Sequence, residues 1–395
     1  MSFDSHKFIV HGDSDMKRNI IKQLGIVLCL GFIISAFSSG NGVTAAGETS
    51  DEQKESVVSE ETVSETTTEN TTEAVTEATT QKKKKDDTVA ITISAAGDCT
   101  LGVDSRYNEA FNSYYAEHNA SYFLKKVKPV FSKDDITIVN FEGTLTDSND
   151  RQDKTFTFKG PAKYAKILKK GSVEVVTLAN NHSYDFGEQG FSDTKKTLKK
   201  NKIKYCYKST IAYKTVKGVK VAFIGYSQLD GDGEAEVKAA IKKAKKKKAK
   251  IIICNFHWGI ERDYYPTEEQ KSLGRYAIKQ GADLVIGHHP HVLQGVEKYK
   301  GRYIVYSLGN FCFGGNMDPE DKDTMIFQQT FYVKKGKLQK KNDAKIIPCS
   351  LSGVSYTNDF QPKILKGKAK KNLLSKMRDY SSGMKVKIKS SGKLK

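Results

Sequence analysis

From residue 89 to residue 286 the chain alternates short β-rich runs with Lys-rich amphipathic stretches, and few architectures accept that pattern. The strand candidates are 89–96, 136–141, 173–179, 219–226, 251–256 and 284–286. Helix candidates fall between them, at 121–131, 162–170, 188–200, 234–250 and 268–280. Such alternation argues an α/β fold, a sheet with helices on its faces. The later runs 303–307, 325–333 and 344–348 lack intervening helices and read as added antiparallel strands of a second sheet. Beyond Ser350 the chain is Lys-rich and weakly patterned, so 351–395 reads as a loosely attached basic tail.

The residues just after each strand carry the chemistry. The first run ends in Gly97-Asp98, the second in Asn140-Phe141-Glu142-Gly143, and the third in Asn180-Asn181-His182-Ser183-Tyr184-Asp185. The fifth ends in His257-Trp258-Gly259 and the sixth in Gly287-His288-His289-Pro290-His291. Open α/β sheets collect ligands beyond the carboxyl ends of their strands. Each residue alone has a plainer reading: Gly-Asp as a turn, Glu142 as a helix cap, His257 as a hydrogen-bonded core residue. Their concentration weighs against that. Of eight histidines, five (His182, His257, His288, His289, His291) sit at these ends, His6 and His11 lie near the N-terminus, and only His118 is elsewhere. Carboxylates with imidazoles suit one or two divalent ions, Zn, Mn or Fe, at a hydrolytic centre. A pair of ions about 3.5–4 Å apart could share one carboxylate.

Charge divides the chain into three regimes. Residues 1–47 carry net +1 and residues 48–80 carry net −9, which, with a total of +19, leaves +27 on residues 81–395. The apolar run 24–37, preceded by Lys17, Arg18 and Lys22 and succeeded by small residues, describes a secretory signal within 1–47. Met16 reads as the natural start, with 1–15 as an upstream extension. Cleavage and retention as an anchor both fit. Either way the body is expected outside the cytoplasm, secreted or membrane-anchored. The Thr/Glu-rich stretch without aromatic, Gly or Pro residues makes 48–88 a disordered, self-repelling tether. Removal of the signal would leave five widely spaced cysteines, Cys99, Cys206, Cys254, Cys312 and Cys349, an odd set with no CxxC and no disulfide framework.

Taken in order, Gly97-Asp98, Asn140-x-Glu142-Gly143, Leu178-Ala179-Asn180-Asn181-His182 with Asp185 and Gly187, His257-Trp258-Gly259, His289-Pro290-His291-Val292-Leu293-Gln294 and Tyr306-Ser307-Leu308-Gly309-Asn310-Phe311 resemble the CapA-type poly-γ-glutamate capsule biosynthesis family. The resemblance spans 91–313 and implies a domain over 89–350 with a two-sheet α-β-β-α sandwich similar to calcineurin-like metallophosphoesterases. It implies a cell-surface role in polymer synthesis, export or anchoring. Residue by residue, it implies Asp98, Glu142, Asn181, His257, His289 and His291 as metal ligands and His182 as a general acid, with Asp185 behind it. Thr100 stands where the phosphoesterase first motif, Asp-x-His, would have its imidazole.

Two functions are expected on these grounds. One is a metal-assisted hydrolase or transferase at an acyl or phosphoryl centre, with His182 protonating the leaving group. The other is a non-catalytic module in which the basic body holds an anionic polymer, poly-γ-glutamate, beside membrane synthase subunits. Nucleic acid is disfavoured as a partner, because a secretion signal removes it and no basic stretch is interleaved with stacking aromatics.

Overall fold

The computed structural model describes residues 87–395. The expected signal and nearly all of the expected tether lie outside the described residues. Among the described residues, no helix is long and apolar enough to cross a membrane.

Two sheets form the centre of the body. The first runs, in spatial order, Lys363–Ile364, Lys337–Ser350, Asp323–Lys334, Thr88–Thr100, Ile136–Phe141, Val175–Thr177 and Lys204–Cys206, with Asn310–Phe313 pairing beside the end of Thr88–Thr100. The second runs Val296–Tyr299, Arg302–Val305, Leu284–His288, Ile251–His257, Val219–Ser227 and Ala212–Val216. The strands that alternate with helices are parallel within each sheet.

Side-chain alternation then builds three apolar layers. Ile91, Ile93, Ile138 and Val175 from the first sheet share one cluster with Val221, Phe223, Ile251, Ile253 and Ile286 from the second. The neighbours of those residues face outward. Ile252, Cys254 and Val285 pack with Val237, Ile241, Leu273 and Ala277 from the helices Glu234–Lys246 and Glu268–Gln280. Val139, Phe141 and Val176 pack with Leu168, Phe191 and Leu198 from Ala165–Lys170 and Gly187–Lys200. Helix, sheet, sheet and helix layers result, the expected α-β-β-α sandwich. All five described cysteines are buried and unpaired.

Three sequence expectations are corrected. The second sheet begins at Ala212–Val216, whereas the long hairpin extends the first sheet, Asp323–Lys334 antiparallel to Thr88–Thr100 and Lys337–Ser350 antiparallel to Asp323–Lys334. Hydrophobic period marks a strand but not the sheet it joins. The candidate helix 121–131 is a series of turns with helix only at Lys128–Phe131, since Pro129 lacks an N–H and is tolerated only in a first turn. A further helix, Ala110–His118, lies where the sequence pattern gives none.

The third correction concerns 351–395, which is no loose tail. The helix Gly367–Tyr380 inserts Leu373, Leu374 and Met377 into the layer between the sheets, and Ile388 and Leu394 join them. Lys residues on its outer face masked the apolar stripe. Because Leu374 is 1% exposed, Leu374→Ala should destabilise the body by about 2–5 kcal/mol in denaturant unfolding. An unchanged midpoint would restore the loose-tail reading.

Candidate metal centre

The site begins with a slip in strand pairing. Along Thr88–Thr100 and the three residues after it, Ile91, Ile93 and Ala95 face the space between the sheets, whereas Cys99, Leu101 and Val103 face the outer helices. Odd-numbered residues change sides because the register against Ile136–Phe141 shifts between Ala96 and Asp98. One extra residue reverses every side chain after it, and so turns Asp98 toward the second sheet. Gly97 permits this: a Cβ there would lie 1.8 Å from the Gly309 carbonyl oxygen. The same close approach lets the Asp98 N–H donate to that oxygen at 3.0 Å.

The carboxyl ends of both sheets meet at this point, so the rim is shared rather than belonging to a single sheet. Asp98 Oδ1 accepts from Asn140 Nδ2 and lies 2.9 Å from His288 Nδ1. Asp98 Oδ2 lies 3.3 Å from His291 Nδ1 and accepts from the His289 N–H. Asn140 Nδ2 also lies 3.5 Å from His257 Nδ1, while His257 Nε2 lies 2.8 Å from Asn181 Oδ1. Glu142 faces His257 Nε2 at 3.4 Å and His291 Nδ1 at 4.0 Å. The His257 and His289 ring centres are 4.7 Å apart. The six expected ligands are thus brought together, and His288, whose role the sequence left open, joins them through Asp98. Thr100 is fully buried and its hydroxyl has no partner.

His182 and Asp185 sit beside this cluster as a pair. His182 Nδ1 lies 2.8 Å from Asp185 Oδ2, leaving Nε2 as the nitrogen free to exchange a proton. Asp185 is fully buried and also receives the Phe158 N–H at 2.7 Å and Lys154 Nζ at 2.6 Å. Lys154 donates in addition to the Asn181 carbonyl at 2.6 Å, so one ammonium braces the backbone of a candidate ligand and the carboxylate behind His182. A cleft of about 590 Å³ opens over the site, lined by His182 and His291 and walled by Phe156, Phe158 and Phe313.

Burial sets the electrostatics. It raises the Glu142 carboxyl to about 8, helped by the charge of Asp98 and opposed by His291. Burial works the same way on Asp98, but hydrogen bonds from His288 and His291 outweigh it and hold that group well below the ordinary carboxylate range. Burial would lower His291, yet Glu142 and Asp98 pull it up to about 10. His289 is pushed down to about 4 by burial and by His291, and His257 well below its usual value by burial and by His289. Both Glu142 oxygens, His288 Nε2 and His289 Nδ1 are buried without a hydrogen-bond partner. Buried polar atoms are rarely left unpaired, and Glu142 and His289 each belong to a group of three side chains whose ligand atoms lie within 4.8 Å of one another. That donor set fits a divalent cation.

Sequence reasoning missed Lys154, which lies in a loop without a motif, and Glu261, whose ligand oxygen lies within 4.8 Å of ligand atoms of His289 and His291. The only cue to Glu261 was its place two residues beyond His257-Trp258-Gly259.

A buried unpaired carboxylate should cost stability in the metal-free protein. With a folded-state pKa above its unfolded value, Glu142 contributes stability that is full below about 4.5 and lost as pH rises through about 8. Glu142→Gln lacks that loss. The metal-free variant should therefore match wild type near pH 4.5 and exceed it above pH 8 by on the order of a few kcal/mol, while binding metal more weakly. A stability difference that does not grow with pH would contradict this assignment.

Comparison with known proteins places the chain in a family. The family described as "Bacterial capsule synthesis protein PGA_cap" matches residues 92–315. The PGA biosynthesis protein CapA of Bacillus subtilis (strain 168) is 33% identical over 255 residues, covering 59% of this chain and 65% of that protein. The capsule biosynthesis protein CapA of Bacillus anthracis is 32% identical over 258 residues, covering 58% and 61%. A probable polyglutamine synthesis accessory protein of Mycobacterium tuberculosis is 25% identical over 208 residues, covering 45% and 55%. The chain therefore spans less than two-thirds of the length of these relatives. With the family match extending over more than half of its residues, the chain belongs to the bacterial capsule synthesis protein PGA_cap family.

Proposed function

We propose that this protein is a metal-dependent hydrolase or transferase of the cell surface, working in poly-γ-glutamate synthesis, export or anchoring beside a membrane synthase. The observation that carries the reading is Glu142, 1% exposed, with neither carboxylate oxygen hydrogen-bonded and two imidazoles facing it. An uncompensated carboxylate at that depth costs several kcal/mol, which binding of a cation offsets. Asp98, Glu142, Asn181, His257, His289 and His291 would hold one or two ions of Mn, Zn or Fe. An ion there supplies a Lewis acid and brings the pKa of a water from about 15.7 to about 7.

The chain's own groups do the remainder. Asp185 fixes the His182 ring through Nδ1, so Nε2 is the atom that donates to a leaving group in the cleft. Lys154 keeps Asp185 in place for that task. Phe158 packs 4.8 Å from the His182 ring and limits water on that side. Arg262, which also lines the cleft, offers a cation to an acidic substrate group.

His182→Ala should leave bound metal unchanged and lower turnover by roughly 10²–10⁴-fold, measured on γ-glutamyl and phosphoester substrates with metal analysis in parallel. Loss of metal together with turnover would make His182 a ligand instead. Absence of any cleavage by the metal-loaded protein, with salt-dependent retention of polyglutamate by metal-free His289→Ala, would replace the enzyme with a polymer-holding module.

A further inference from the structure

We infer that Glu261 is a metal ligand and, with His289, forms a second, outer cation position distinct from the buried one at Asp98, Glu142 and His291. This rests on the metal reading above and adds to it a residue and an order of affinity.

Among the described residues, two groups of three side chains have ligand atoms within 4.8 Å of one another: Asp98, Glu142 and His291, and Glu261, His289 and His291. The second contains an independent sign of a missing ligand. His289 is 7% exposed, and its Nδ1 is buried with no partner. Glu261 is held there by more than chance proximity. Arg262 donates its N–H to the Pro290 carbonyl at 2.8 Å, between the two histidines, and Trp258 donates to the His288 carbonyl at 3.1 Å. Gln294 Nε2 holds the far side of the loop through the carbonyls of Asp263 and Tyr265. The backbone meets these demands in the left-handed region at Arg262 (φ 63°), His289 (φ 96°) and His291 (φ 58°). Such conformations cost about 1–3 kcal/mol each in a non-glycine residue and persist where the surroundings enforce them.

The two positions differ in kind. Asp98 and Glu142 are almost wholly buried, whereas Glu261 is exposed and lines the cleft. His291 belongs to both groups, and a neutral imidazole has one lone pair to give. Its Nδ1 already faces Asp98 and Glu142, so the outer position depends chiefly on Glu261 and His289. Fewer protein ligands and open access to water make it the weaker site, and the one a substrate oxygen can reach.

Titration of the purified, metal-stripped protein with Mn²⁺, tracked by the free-ion electron paramagnetic resonance signal, tests this. Wild type should show a tight and a weak class of site. In Glu261→Gln the weak class should vanish, lowering saturation by about one equivalent per chain, while the tight class is retained. Glu261→Asp should restore weak binding in part. Wild-type stoichiometry and affinities in Glu261→Gln would overturn the inference and leave the metal reading standing. A single class of site in wild type, or loss of every site in Glu261→Gln with circular dichroism unchanged, would overturn it too. Failure of wild type to bind Mn²⁺, Zn²⁺ or Fe²⁺ at all would sink both readings.

Discussion

A carboxylate sealed from water without a partner is the constraint on which this structure turns. Glu142 lies where two sheets meet, and Asp98 lies beside it with its charge kept by imidazole hydrogen bonds. Two acidic groups so close in a low-dielectric interior repel each other, which is why one is pushed up and the other held down. The neighbouring imidazoles carry the balancing charge only in part. A cation held by Asp98, Glu142 and His291 would satisfy the orphaned Glu142 oxygens.

The fold bears a conformational cost to assemble this cluster. A register slip at Gly97 redirects Asp98, and left-handed residues on either side of Pro290 bring two rings into one space. Strain of this kind gathers at working sites because packing elsewhere over-determines the backbone. Here the determinants are the apolar layer between the sheets and the C-terminal helix Gly367–Tyr380, which closes it. The family's connection with capsule synthesis thus meets a physical picture: a rigid double sheet whose shared rim holds donors, and a cleft above it lined with aromatic and charged groups.

Much of the candidate site was legible because donors end strands. Asp98, Glu142, His257 and His291 stand out once the residues at the end of each β-rich run are read, and that is a matter of local order alone. Asn181 and His182 were legible for the same reason. Which run joins which sheet was not, since the runs at 136–141 and 251–256 have the same apolar character yet join different sheets. Nor was the packing of Leu373, Leu374 and Met377, whose stripe is diluted by lysines along the helix. Lys154 and Glu261 sit in loops, where no period marks a residue and only the folded path decides its neighbours.

By itself, the sequence determined the alternation of strands and helices and the donor atoms waiting at their ends, because period and turn chemistry act over a few residues. Only tertiary structure decided that the ends of two sheets would share a rim, that Asp98 would face inward, and that His288, 190 positions away, would reach its carboxylate. Contacts across such separations arise from burying apolar faces against each other, and no short stretch of chain contains that information.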